Sequence, residues 1–317
     1  MKTIIVTGAA GFIGSNLCEK LLSIDSNCVV IGVDNYSSGQ RSHFDYLSKK
    51  FKSRFVPIQK DICNINKNSF KYWNIDEIYN AACMASPVFY QNNPIDTLKT
   101  STIGVINLLE LAKKHKAKFL QFSTSEIYGD PLEHPQKETY FGNVNINGPR
   151  ACYDEGKRVA ETLCMEYNKV YGVKTSIVRI FNTYGPGMRL DDGRVITNFI
   201  KQILDNKPVT IYGDGTQTRS FCYIDDLLDG IIKLMESDET SPVNIGNPTE
   251  ITLLELVEKL EKVFGKSVEK VYLDLPKDDP QKRKPDITKA SIKLGWSPKI
   301  DLETGLNSTI NYFKEIR

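Results

Sequence analysis

Apolar positions fall in two rhythms that alternate along the first half of this chain. Short stretches rich in apolar and β-branched residues at 2–6, 29–33, 54–58, 76–79, 118–122 and 175–180 read as strands. Between them, apolar residues spaced three and four apart predict helices, among them 15–22, 94–114 and 153–171. In 94–114 this spacing puts Leu98, Ile103, Ile106, Leu109 and Ala112 on one face. Strands alternating with helices predict a parallel, doubly wound α/β sheet of the Rossmann type. Near residue 180 the alternation weakens. Helices follow at 195–204, 225–235, 252–264 and 302–316, with Asp225 and Thr252 as cap-like openings of the second and third. A short strand is expected at 209–212 and a loop at 215–221. Two units result: residues 1–180, built on the sheet, and a smaller α/β lobe at 181–317, with some crossover of the chain between them. Residues 128–152 show no period and are broken by Pro131, Pro135, Gly142, Gly148 and Pro149, which marks a long loop.

Composition narrows the classes. Apolar residues make up 40% and charged residues 25% of 317, ordinary values for a soluble globular protein. A net charge of +2 gives nucleic acid and anionic membranes no reason to bind. Seven scattered cysteines and three distant histidines form no metal-ligand spacing and no disulfide framework, so no metal and a reducing compartment are expected. No apolar run reaches bilayer length and no signal peptide is evident, so the expected location is cytoplasmic.

The candidate chemistry lies at the ends of the strands. Gly8, Gly11 and Gly14 follow the first strand and open the first helix, a turn that lets a pyrophosphate approach free N–H groups at a helix N-terminus. Asp34 ends the next strand, where an acid accepts ribose hydroxyls and repels a 2′-phosphate, favouring NAD over NADP. Asp61 and Ile62 stand where an adenine could be held. Asn80, Ser123, Thr124 and Glu126 also fall at carboxyl ends of strands. Tyr153 and Lys157 are four apart, hence on one helix face, and an ammonium beside a phenol is expected to lower its pKa. Y-x-x-x-K alone is a weak signal. Arg194, Arg219 and Arg283 would be ordinary surface charges unless a substrate carries a diphosphate and a carboxylate.

Taken together, T-G-A-A-G-F-I-G, S-T-S-E-I-Y-G-D, Y-D-E-G-K and R-I-F-N-T-Y-G-P resemble the extended short-chain dehydrogenase/reductases. Within that family, residues 142–145, 148–162 and 278–286 resemble the UDP-glucuronate decarboxylases, or UDP-xylose synthases. The resemblance covers nearly the whole chain. It implies a carboxy-lyase that uses NAD to convert UDP-glucuronate to UDP-xylose. Oxidation at carbon 4 would give a β-keto acid, whose ketone accepts the electrons left when carbon dioxide departs. Tyr153 would be the acid/base at the 4-hydroxyl, Lys157 its tuner and a ribose ligand, and Thr124 a donor to the 4-oxygen. Ser125 and Glu126 match the decarboxylases' Ser-Glu pair, and Arg283 would face the substrate carboxylate. Cofactor positions carried over are Gly8, Gly11, Phe12, Ile13, Gly14, Asp34, Asn35, Ser37, Asp61, Ile62, Asn80, Ala81, Ala82, Thr100, Ser123, Tyr153, Lys157 and Thr183. Those near the UDP-sugar are Pro87, Tyr90, Lys99, Glu126, Asn182, Arg194, Val195, Asn198, Tyr212, Gln217, Arg219 and Arg283. Relatives form dimers through a four-helix contact, which implies a homodimer through the helices near Pro94 and Tyr153. Ser101, where Asn is usual, together with Met84 and Asn147, departs from the family pattern. Two other readings stay open. One is another nucleotide-sugar enzyme, namely a 4-epimerase, a UDP-apiose/UDP-xylose synthase or a decarboxylase releasing the 4-keto sugar. The other is a non-catalytic NAD-binding sensor, for which Thr124, Tyr153 and Lys157 would have no use.

Overall fold

The structure is a computed structural model that describes residues 1–274 and 282–316; Asp278, Asp279, Pro280 and Gln281 of the tail motif lie outside the described residues. Six strands of the first half, β1 (Lys2–Thr7), β2 (Cys28–Asp34), β3 (Phe55–Gln59), β4 (Glu77–Asn80), β5 (Lys118–Thr124) and β6 (Thr175–Ile180), form one parallel sheet. Its order is β6-β5-β4-β1-β2-β3, and a seventh strand, Val243–Ile245, adds beside β6. The strands β1, β2 and β5 are buried almost throughout because apolar clusters cover both faces. Strand order reverses at β1, so a crevice opens between the carboxyl ends of β1 and β4.

Three elements aim the chain at that crevice. Gly8, at φ +66°, turns out of β1, and a Cβ there would lie 2.6 Å from the Ala81 carbonyl oxygen. The helix Phe12–Ile24 then begins directly after Gly11, three residues before its expected start, with no side chain capping its first N–H groups. The helix Ala151–Tyr171 packs Tyr153, Gly156, Lys157, Ala160 and Glu161 inward.

The expected continuous helix at 94–114 is instead two helices, Pro94–Lys99 and Val105–His115, joined by a π turn at Thr100–Gly104. Ser101 sits in that turn against Gly156, where a Cβ would meet Ser101 Cβ at 3.0 Å. The turn rotates the pattern. Val105, Leu108, Leu109, Leu111 and Ala112 face the core, while Leu98, Ile103 and Ile106 are 36%, 47% and 38% exposed. Asp225 is not a cap either. The helix Ile224–Glu236 starts after Tyr223, and neighbouring Asp226 accepts from the amides of Lys299 and Ile300. Thr252 does cap Leu253–Phe264, in a reciprocal box with Glu255. The expected loop at 215–221 holds a strand, Thr218–Ser220, paired antiparallel with Glu250–Thr252.

Candidate active site

A cleft of about 600 Å³ runs along the carboxyl edge of the sheet and into the C-terminal lobe. Nearly every site residue expected from the sequence lines it, from Gly8, Phe12 and Asp34 through Thr124, Tyr153 and Lys157 to Tyr212, Gln217, Arg219 and Arg283. Two do not. Asn80 is tucked beneath the strand ends, accepting from Thr7 Oγ1 at 2.7 Å and donating to Gln121 Oε1 at 2.8 Å. It ties β1, β4 and β5 together. Lys99 is exposed, 3.9 Å from Asp96.

The glycine end fits a dinucleotide. Its helix N-terminus is uncapped and glycines keep side chains out of the turn. Asp34 accepts from Ala10 N at 2.9 Å and Tyr36 N at 2.7 Å, which fixes its carboxylate at the cleft wall; burial pushes that carboxyl up against those amides. Asp61 accepts from Asn35 Nδ2 at 2.8 Å, joining two residues expected at the cofactor. Ser123, by contrast, gives its hydroxyl to Glu161 at 2.5 Å.

At the centre, Tyr153 stacks on Tyr90 with ring centroids 5.0 Å apart and planes 6° from parallel. Thr124 lies near enough to the Tyr153 hydroxyl to pull its phenol down. The expected lowering of the phenol by Lys157 is not found. Burial pushes the Tyr153 phenol well up, nearby Cys83 adds to this, and Thr124 and Arg194 only partly oppose it. Lys157 Nζ donates to Phe122 O at 2.8 Å and lies 5.8 Å from the Tyr153 ring centroid. The i,i+4 spacing brings both groups to one face, but the ammonium is tied to β5.

Beside the tyrosine lies a charge cluster. Arg283, 2% exposed, reaches Glu126 Oε1 at 3.0 Å, Ser125 Oγ at 3.0 Å and Gly129 O at 3.0 Å. Arg150, which no motif or spacing singles out, pairs with the other oxygen of Glu126. Burial would raise the Glu126 carboxyl, but Arg283, Arg150 and Arg219 outweigh it and hold Glu126 below the usual range. Arg283 Nε and Tyr90 Oη are buried with no hydrogen-bond partner among the described residues. Unmade donors beside a cleft suit a ligand that brings acceptors. In the second lobe Gln217 Nε2 donates to Tyr212 O at 2.5 Å, Asn198 to Gly193 O at 3.0 Å, and Arg194 pairs with Asp192 at 3.2 Å. Pro87 opens the helix Pro87–Asn92 that carries Tyr90, and Asn182 and Thr183 follow β6.

Asp154 is a second residue that sequence reasoning does not find, because nothing in its spacing tells it from a surface carboxylate. It is buried, Oδ1 has no partner among the described residues, and burial with nearby Glu126 pushes its carboxyl up to about 7, against Arg150 and Arg283. A carboxyl raised on folding stabilises the native state below the unfolded pKa of roughly 4, and that contribution is lost as pH rises through about 7. Asp154→Asn cannot ionise. Its stability relative to the parent is therefore expected to increase between pH 4 and pH 8, by about 1.4 kcal/mol for each tenfold difference in proton affinity between the folded and unfolded chain. Urea unfolding of both proteins across that range checks this; a difference that does not change with pH contradicts it.

The profile of the GDP-mannose 4,6-dehydratase family matches residues 5–309. UDP-glucuronic acid decarboxylase 1 of Arabidopsis thaliana is 50% identical over 311 residues, covering 98% of this chain and 69% of that protein. UDP-glucuronic acid decarboxylase 5 of the same plant is 50% identical over 304 residues, covering 96% of this chain and 86% of that protein. The chain belongs to the UDP-glucuronic acid decarboxylase family of extended short-chain dehydrogenase/reductases. The fold of this decarboxylase-family chain also matches a solved UDP-glucuronic acid 4-epimerase from Bacillus cereus, in complex with UDP-glucuronic acid and NAD. The TM-score is 0.89 and the identity 33%, over 99% of this chain and 100% of that one. Among the described residues no helix is long and apolar enough to cross a membrane, and no group of three or more His, Cys, Asp or Glu is placed to hold a metal.

Proposed function

We propose that the protein is an NAD-dependent decarboxylase that converts UDP-glucuronate to UDP-xylose through a 4-keto sugar. The observation that carries this reading is the buried Arg283, joined to Ser125 and Glu126, in the same cleft as Tyr153, Thr124 and Lys157. An acid/base tyrosine alone serves many reactions on this scaffold. A buried arginine with a free donor beside it serves a substrate that carries a carboxylate.

The open helix N-terminus at Gly11–Phe12 would hold the pyrophosphate of NAD, Asp34 a ribose, Asp61 and Ile62 the adenine side, and Lys157 the nicotinamide ribose. NAD+, when bound, would supply reversible hydride acceptance at the sugar's carbon 4 and a positive charge. Tyr153 must first lose its own proton, against the burial that raises its phenol; as the phenolate it takes the 4-hydroxyl proton as the ketone forms. Arg283 holds the carboxylate at the β position of that ketone. When carbon dioxide leaves, the electron pair moves onto the 4-oxygen, where Tyr153 and Thr124 donate; one such donor is worth about 100- to 1000-fold. Glu126, kept ionised between two arginines, limits how tightly Arg283 grips the ground-state carboxylate, which leaves more of the interaction for the transition state. A proton from solvent then adds at carbon 5 and restores the ketone, and Tyr153 returns its own proton to the 4-oxygen when that ketone is reduced.

Proton NMR of the purified protein with UDP-glucuronate and NAD+ tests this. UDP-xylose is expected. UDP-galacturonate would instead favour the 4-epimerase reading, which the neighbour from Bacillus cereus keeps in view, and no turnover would sink both.

We further propose a homodimer. Leu98 and Ile106, on either side of the π turn, and Val159 and Met165, on Ala151–Tyr171, are exposed apolar side chains on the elements that relatives would use. Leu98→Glu with Ile106→Glu is expected to halve the mass seen by sedimentation velocity, and an unchanged mass contradicts the assignment. Seven cysteines, none in a disulfide, suit a reducing compartment such as the cytoplasm.

A further inference from the structure

The Arg283 guanidinium is held at its tip, yet its backbone lies in residues 282–287, which belong to no helix or extended strand. Gln136 holds that backbone. Its N–H donates to Lys284 O at 2.9 Å, and its carbonyl accepts from Asp286 N at 2.9 Å. Its side-chain Oε1 accepts from Lys284 N at 2.8 Å, while Nε2 donates to Glu133 O at 2.7 Å. The residue is wholly buried and every polar group it has is used. Asn244, in the seventh strand, doubles the clamp: Nδ2 donates to Gln136 O at 3.0 Å and to Asp286 O at 3.1 Å.

The clamp is joined to the acid/base helix. Asn244 Oδ1 accepts from Tyr128 Oη at 2.8 Å, and Tyr128 Oη accepts from Arg179 Nη1 at 2.9 Å. Arg179 pairs through two nitrogens with Glu161, at 3.0 and 2.8 Å, one turn beyond Lys157 on the same helix. A buried hydrogen-bonded chain therefore links the segment that carries the carboxylate arginine to the helix that carries Tyr153. Each link has one donor and one acceptor to fill, and only an amide of this length meets both Lys284 N and Glu133 O.

We propose that Gln136 is the positioning residue for Arg283: with Asn244 it sets the arginine's place relative to Tyr153, and so governs affinity for the carboxylate-bearing nucleotide sugar but not for the decarboxylated one. This rests on the carboxylate reading of Arg283 given above. Removing the Gln136 side chain takes a partner from Lys284 N–H and Glu133 C=O and frees the segment to move.

The test is calorimetric binding to NAD-bearing protein in a Tyr153→Phe background, where chemistry is stopped. Gln136→Ala is expected to weaken UDP-glucuronate about ten-fold, the size of one charge-assisted hydrogen bond misplaced, and UDP-xylose less than about two-fold. With Arg283→Ala also present, adding Gln136→Ala should change UDP-glucuronate binding no further. Equal weakening of both ligands, no weakening, or an undiminished effect without Arg283 overturns the proposal. Should Gln136→Ala not fold, Gln136→Glu keeps the volume and the acceptor but not the donor, and the same discrimination between the two ligands is required of it. Carbon dioxide release by the parent protein reads the proposed function separately. A parent that binds UDP-glucuronate through Arg283 without releasing carbon dioxide overturns the decarboxylase reading and leaves the Gln136 result standing.

Discussion

Tyr153→Phe is expected to lower kcat for UDP-glucuronate by about 100- to 10,000-fold, the usual contribution of a positioned general acid/base. The phenyl ring keeps the stack on Tyr90 at 5.0 Å, so the fold and the cleft wall stay in place. What disappears is the Tyr153 hydroxyl, which Thr124 pulls down against burial. That loses the proton acceptor for the 4-hydroxyl and one donor to the developing oxyanion together. NAD content is expected to remain that of the parent, since Asp34 and the glycine turn are untouched. Single-turnover rates with bound NAD counted by absorbance separate the two effects. A variant as fast as the parent would mean that this tyrosine carries no proton.

Arg283→Ala is expected to lower carbon dioxide release by roughly 10- to 100-fold, because the open donor of Arg283 makes one charge-assisted hydrogen bond to the carboxylate, worth about 1.5–3 kcal/mol. The variant also strips Glu126 of the strongest cation that holds it ionised, so its carboxyl moves up while Arg150 and Arg219 remain. Removing one partner of a buried pair destabilises by about 3–5 kcal/mol, so unfolding must be measured beside turnover. Arg283→Lys restores charge but not the fork to Ser125, Glu126 and Gly129, and is expected to recover only part of the rate. Near-parent release of carbon dioxide from folded Arg283→Ala would remove the arginine from the mechanism.

The sheet was legible because its strand stretches are rich in apolar and β-branched residues and the first turn carries glycine. Lys2–Thr7, Gly8 and Asp34 could be placed by counting. Helical spacing placed Tyr153 and Lys157 on one face. Properties that depend on the rest of the molecule were not legible. Spacing brings an ammonium near a phenol but cannot say that Phe122 O will hold it, or that burial will govern the hydroxyl. Apolar periodicity finds Leu98 and Ile106 but does not tell a core face from an exposed one, and the π turn at Thr100–Gly104 has no signature in the pattern. Arg150, Asp154 and Gln136 gain their meaning from partners 24 to 148 positions away, or from the lack of one.

The strand Val243–Ile245 completes a sheet whose other members all end by Ile180. During synthesis on the ribosome, the edge of β6 therefore stays bare while more than 60 further residues emerge. A nascent or truncated chain that stops near residue 180 exposes unpaired backbone groups ready to add a foreign strand. Coexpression of such a fragment should call on chaperones where the intact chain does not, and the arginine clamp anchored by Asn244 can form only after that edge is closed.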